Sequence, residues 1–153
     1  MPGAPAGTGR DEQAAYMFGH EIEQRLIIAG QPMHVATARA FVRRVAGDNH
    51  PGAERVELLI SELVTNSIKH SNSGKPGGTI TLTVTVFTDR VRVEVQDDGG
   101  VTVPALRCAE DTEENGRGLR LVDAYSLKWD YRQAGTGMVT WFECPLEPLP
   151  LPR

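Results

Sequence analysis

Residues 79–88 (TITLTVTVFT) set threonine against Ile, Leu or Val almost without a break. Successive strand side chains point to opposite faces, so this segment can bury one face and leave the other polar. Branched and aromatic residues suit such a pleated, half-buried surface. A sheet with one apolar face needs a cover on that face, and the preceding residues supply one. Pro32 opens a helix over about residues 33–46, with Val35, Ala38, Phe41, Val42 and Val45 at helical spacing. A second helix is expected from Ala53 to His70, with Val56, Leu59, Ile60, Leu63 and Ser67 on the stripe turned toward the sheet.

The other segments complete this arrangement. Residues 17–28 (MFGHEIEQRLII) contain a first strand, and Gly47–Gly52 and Ser71–Gly78 are breaks by composition. Val91, Val93 and Val95 alternate in a strand that ends at Asp97-Asp-Gly-Gly100. Residues 101–115 are a long polar loop, and Gly118–Tyr125 is a short helix. Residues 126–132 and 138–144 are a closing pair of strands joined by residues 133–137. The order favours an α+β two-layer sandwich, with a mixed, mostly antiparallel sheet covered on one face by helices. The 153 residues fit one domain, expected over 16–146 between a disordered lead, 1–15, and a proline-rich tail, 147–153.

Composition narrows the function classes. The net charge of −4 and the lack of a Lys/Arg-rich patch argue against direct nucleic-acid binding. Cys108 and Cys144 form no disulfide framework, and neither they nor His20, His34, His50 and His70 have metal-ligand spacing. Residues 1–15 lack the apolar core of a signal peptide, and no apolar run approaches membrane-spanning length. A cytoplasmic protein without membrane contact is expected.

Three motifs carry chemistry. On the second helix Glu62, Asn66, Lys69 and His70 share a stripe, because residues three or four apart lie on one helix face. The Asn66 amide oxygen can ligate Mg²⁺, a hard cation, without adding negative charge beside phosphates. Glu62 can orient or deprotonate a hydroxyl, and Lys69 and His70 can offset phosphate charge. Asp97 closes a strand as a pure acceptor, suited to the exocyclic amine of adenine and unsuited to the carbonyl of guanine. Gly99 lets backbone approach a flat base. Residues Asn115-Gly116-Arg117-Gly118-Leu119 lead into a helix whose N-terminal amides attract phosphate, with Arg117 adding a charged contact. Each motif also has a plain reading: a solvated helix face, an Asp-Gly turn, a loop before a helix. Their order and structural contexts favour the chemical reading.

This trio resembles the motifs of the GHKL superfamily, the ATP-binding fold shared by DNA gyrase, histidine kinases and MutL. Glu62–Asn66 looks like its N box, Asp97-Asp98-Gly99 its first glycine box, and Gly116-Arg117-Gly118-Leu119 its second. The match is closest to bacterial anti-sigma-factor serine/threonine kinases, through Ser61–His70, Gly116–Val122, the Ala38–Arg43 helix and the Trp141-Phe-Glu strand. The resemblance implies ATP and Mg²⁺ as cofactors and an ATP lid over 101–117. It places Mg²⁺ on Asn66, adenine on Asp97 and the catalytic base at Glu62. It also implies phosphorylation of a serine on an antagonist protein, sequestration of a sigma factor, and a homodimer through the first strand and its neighbours.

Two features depart from the superfamily pattern. The lid carries Glu110, Asp111, Glu113 and Glu114 against Arg107 and Arg117 as its obvious cations. A Gly-Thr pair commonly opens the final strand, whereas here Gly137 precedes Met138 and Val139, and Thr136 and Thr140 are the nearest threonines. Arg107 and Thr140 join the nucleotide-binding candidates, and the departures support an alternative: a non-catalytic ATP-binding module acting by stoichiometric protein binding. A histidine-kinase catalytic domain ranks lower, because no acceptor-His helix pair fits before residue 33.

Overall fold

The strand β1 (Ile22–Ala29) lies antiparallel to β2 (Thr79–Val86), with Leu26 opposite Leu82 and Ile28 opposite Ile80. The computed structural model describes residues 22–47, 52–100 and 120–146. The expected lead and tail, the 101–115 loop, Arg107 and residues 116–119 lie outside the described residues. From β2 the sheet continues through β3 (Arg90–Asp97) to β5 (Gly137–Pro145) and ends at β4 (Lys128–Ala134), giving the order β1-β2-β3-β5-β4. Every pairing among these strands is antiparallel.

Period-2 alternation sorts the two faces. Ile80, Leu82, Val84 and Val86 of β2, Val91, Val93 and Val95 of β3, and Phe142 and Cys144 of β5 are buried in one apolar core. Helices α1 (His34–Ala46) and α2 (Ala53–His70) cover it. The first helix contributes Ala38, Phe41 and Val42, the second Val56, Leu59, Ile60, Leu63 and Val64. Burying each such side chain removes about 1.5–3 kcal/mol of unfavourable hydration, so this layer is the main source of stability. A short helical segment, 120–125, adds Val122 to the same core.

Helix ends follow local chemistry. Glu54 sits in the first turn of α2 and Lys69 in its last, each of the sign the helix dipole favours. The α2 span agrees with the sequence expectation, and β1, expected within residues 17–28, is described from Ile22, with residues 17–21 outside the described residues. The β4–β5 connection is tighter than expected. Ala134 pairs with Gly137, leaving Gly135 and Thr136 as a two-residue hairpin turn with Gly135 at φ 62°.

Candidate functional site

The site begins where α2 stops. Ser71 leaves helical geometry (φ −131°, ψ 173°), and its hydroxyl donates to the Ser67 carbonyl at 2.6 Å. The same Oγ accepts from the Ser73 amide at 3.1 Å, starting a single 3-10 turn, Asn72–Gly74. That turn is tied to the end of β3. The Asp98 amide donates to Ser73 Oγ at 2.9 Å, and the Asn72 amide donates to the Gly99 carbonyl at 2.6 Å. Helix end and strand end are thereby fixed side by side.

Between them opens a cleft of about 700 Å³. Lys69, His70, Asn72, Lys75, Asp98 and the hairpin residue Thr136 are among its lining residues. Three of the four ionisable side chains named are Lys or His in a chain of net charge −4, so the cleft is locally suited to an anion. Asp98 is partly committed, its Oδ2 accepting from the Thr79 amide at 2.8 Å. Among the described residues, neither Lys69 nor Lys75 has an ion pair or side-chain hydrogen bond.

Asn66 lies one helical turn before His70. It is buried, at 4% exposure, whereas the sequence places it on the polar stripe. The helical period explains the difference: Asn66 follows Leu59 by two turns and Leu63 by three residues, so it borders the apolar face. Its Nδ2 is buried without a hydrogen-bond partner among the described residues. A buried amide left in that state costs about 1–3 kcal/mol and calls for an explanation. Glu62, one turn earlier, is half-buried, and among the described residues its carboxylate has no partner.

Asp97 continues the core-facing side of β3 beyond Val95 and is 4% exposed. Its Oδ1 accepts from the Gly99 amide at 2.7 Å and from the Met138 amide at 3.2 Å, which fixes the carboxylate at the mouth of the β3–β5 pair. Thr140 is buried on the same face of β5, opposite Val95 and diagonal to Asp97. Gly99 has φ 81°, and a Cβ there would collide with the Thr136 carbonyl oxygen. Its close backbone approach is therefore to the β4–β5 hairpin, whereas the sequence assigns it to a base.

The structure thus brings Lys69 and His70 into the cleft wall. Asn66 and Glu62 lie successive turns back along the same helix, and Asp97 and Thr140 sit on the helix-covered face of the same sheet. Gly99 holds the hairpin against the strand end. Arg107, Gly116, Arg117, Gly118 and Leu119 lie outside the described residues. Lys75 and Asp98 escaped the sequence reading. Asp98 does stand in the Asp-Asp-Gly motif, but nothing local tells which aspartate faces the cleft. Cys144 is buried beneath the sheet, and desolvation pushes its thiol up to about 12 against a smaller opposing effect of Arg55, so it is a packing residue.

Residues 28–144 match the family model described as histidine kinase-like ATPase domain. The chain belongs to that family. Individual relatives agree. Over 77 residues it is 30% identical to the serine-protein kinase RsbW of Listeria monocytogenes, covering 48% of this chain and 49% of that one. It is 26% identical over 116 residues to the anti-sigma F factor of Clostridium botulinum, covering 69% of this chain and 81% of the relative. The chain spans about half the length of the first of these. The histidine kinase domain of the Erythrobacter litoralis EL346 blue-light-activated kinase superposes at a TM-score of 0.52 with 22% identity, over 75% of this chain and 60% of that one. That likeness concerns the fold alone.

Membership in an ATPase family implies ATP binding. The residues present fit a magnesium nucleotide in a particular way. Among the described residues, no group of three or more His, Cys, Asp and Glu side chains forms a metal cage. Mg²⁺ binds readily through one or two protein oxygens with phosphates completing its shell, and a half-turn of the Asn66 amide presents an oxygen in place of Nδ2. No helix among the described residues is long and apolar enough to cross a membrane.

Proposed function

We propose that this histidine kinase-like ATPase domain binds Mg²⁺–ATP at the α2–β3 cleft and acts as an anti-sigma-type protein serine/threonine kinase. The observation that carries the reading is Asn66, a buried amide with an unmatched Nδ2, one turn from a cleft lined by Lys69, His70 and Lys75. Asp97 would take the adenine amine, with Thr140 beside it. Asn66 would ligate Mg²⁺, whose charge would neutralise the phosphates when bound. Arg107, Arg117 and the Gly116–Leu119 backbone would close over the phosphates.

Glu62 would accept the proton of a serine hydroxyl on the antagonist protein as the serine oxygen takes the γ-phosphoryl group and ADP leaves. The same surface would hold a sigma factor, as the relatives' names suggest, and a homodimer through β1 and its neighbours would present two such units. Glu62→Ala is expected to bind ATP like the wild type and to lose phosphoryl transfer by about 100-fold or more, the usual contribution of a positioned base. Transfer at the wild-type rate would remove Glu62 from the mechanism.

The acidic run Glu110, Asp111, Glu113 and Glu114 supports a second reading, a module that binds ATP and grips its partner without catalysis. Incubation with γ-labelled ATP and the antagonist separates the two. A labelled serine supports the kinase, and a stable complex without label supports the module.

A further inference from the structure

We propose that the turn between α2 and β2 is a second arm of the polyphosphate site, with Lys75 as its cation, so that the cleft selects nucleotides by their phosphate tail as well as by their base. This rests on the nucleotide reading of the cleft and assigns a part of it that none of the three motifs contains.

The argument starts from the rigidity of the turn. Ser73 is fully buried, its amide held by Ser71 Oγ and its own hydroxyl by the Asp98 amide. The Lys75 amide donates to the Asn72 carbonyl at 3.1 Å, and the Gly78 amide donates to the Lys75 carbonyl at 2.8 Å. A Cβ on Gly78 would collide with the Ser73 carbonyl oxygen, so backbone packs on backbone and admits no side chain there. The exposed residues on this frame are therefore held in place by main chain. Lys75 is one of them, and it lines the cleft together with Lys69 and His70 from the helix end.

Two lysines reach the cleft from different elements, one on the last turn of α2 and one on the turn that follows it. Neither ammonium has a protein partner among the described residues. An ammonium is a compact charge with three donors, suited to a phosphate oxygen. Two cations lining one cleft suit a polyanion, whose several charged oxygens offer each ammonium an acceptor, better than a single phosphate.

The test is calorimetric, on the full chain, with ATP, GTP, AMP and inorganic tripolyphosphate as ligands for the wild type, Lys75→Ala and Lys75→Arg. Lys75→Ala should weaken ATP and tripolyphosphate by about tenfold, the effect of one charge-assisted contact, and AMP by less than about twofold. Lys75→Arg should recover most of the loss. Unchanged ATP and tripolyphosphate binding in Lys75→Ala overturns the proposal, as does an equal loss for AMP, which would mark a distorted cleft. A wild type that binds tripolyphosphate through Lys75 but does not prefer ATP to GTP would keep the phosphate arm and remove the adenine reading instead.

Discussion

The sheet face away from the helices and the cleft at the end of α2 treat their polar groups differently. On the face away from the helices, polar side chains satisfy one another. Glu143 is buried at 3% side-chain exposure, yet Arg90, Arg92 and Lys128 approach its carboxylate at 3.2, 3.4 and 3.7 Å. Arg92 also stacks on Trp141 at 3.9 Å, and Arg132 meets Glu94 at 2.8 Å. The register explains this, because Arg92, Glu143 and Lys128 stand in one cross-strand row. At the α2–β3 end Ser71, Ser73, Asp97 and Asp98 are hydrogen-bonded, but the Asn66 Nδ2 and the Lys69 and Lys75 ammonium groups find nothing to bond among the described residues. A closed network holds a fold together, whereas unmatched polar groups around a cleft are what a ligand needs.

Substitutions that break this contrast differ in expected size. The largest effect belongs to the joint between the two regions. Gly99→Ala places a side chain at φ 81° and drives its Cβ into the Thr136 carbonyl, so urea unfolding should register a loss of about 3 kcal/mol or more. A loss below about 1 kcal/mol would mean that the hairpin is not held against the strand end as described.

Glu143→Ala comes next. It leaves three cations facing each other around a buried gap, but they are 27–64% exposed and water offsets part of the cost. Denaturation should show about 2 kcal/mol lost with nucleotide affinity unchanged. An equal effect on affinity would deny that the two regions are independent. The smallest stability effect belongs to Asn66→Ala, expected within about 1 kcal/mol of the wild type in chemical denaturation, because an amide whose Nδ2 is unmatched has little hydrogen bonding to lose. A cost above about 2 kcal/mol would place Asn66 among the structural groups.

Much of the architecture was legible because it is periodic. The threonine alternation of β2 and the valines of β3 give strand faces directly, and the α2 stripe of Val56, Leu59, Ile60 and Leu63 gives a helix with the observed bounds. Proline and glycine marked the breaks. The illegible parts depend on residues far apart in sequence. Lys75 and Asp98 meet the cleft because Ser73 bonds to a strand end 25 residues later, which no local pattern encodes. The burial of Glu143 follows from its row in the sheet, since its neighbours in sequence do not reveal the three cations. Asn66, a candidate ligand in the sequence, was expected on the polar stripe but is buried, because polarity of the side chain suggests exposure where the helical angle dictates burial. The packing of Gly99 against the β4–β5 hairpin was likewise not legible, since Thr136 lies 37 residues further along the chain.

The most direct test of the central claim is titration of wild type and Asn66→Ala with ATP and GTP, each with and without Mg²⁺. The wild type should bind ATP more tightly than GTP and more tightly with Mg²⁺, and Asn66→Ala should lose the Mg²⁺-dependent part while remaining folded. Indifference of the wild type to base and metal, or undiminished Mg²⁺–ATP binding by Asn66→Ala, would contradict the account.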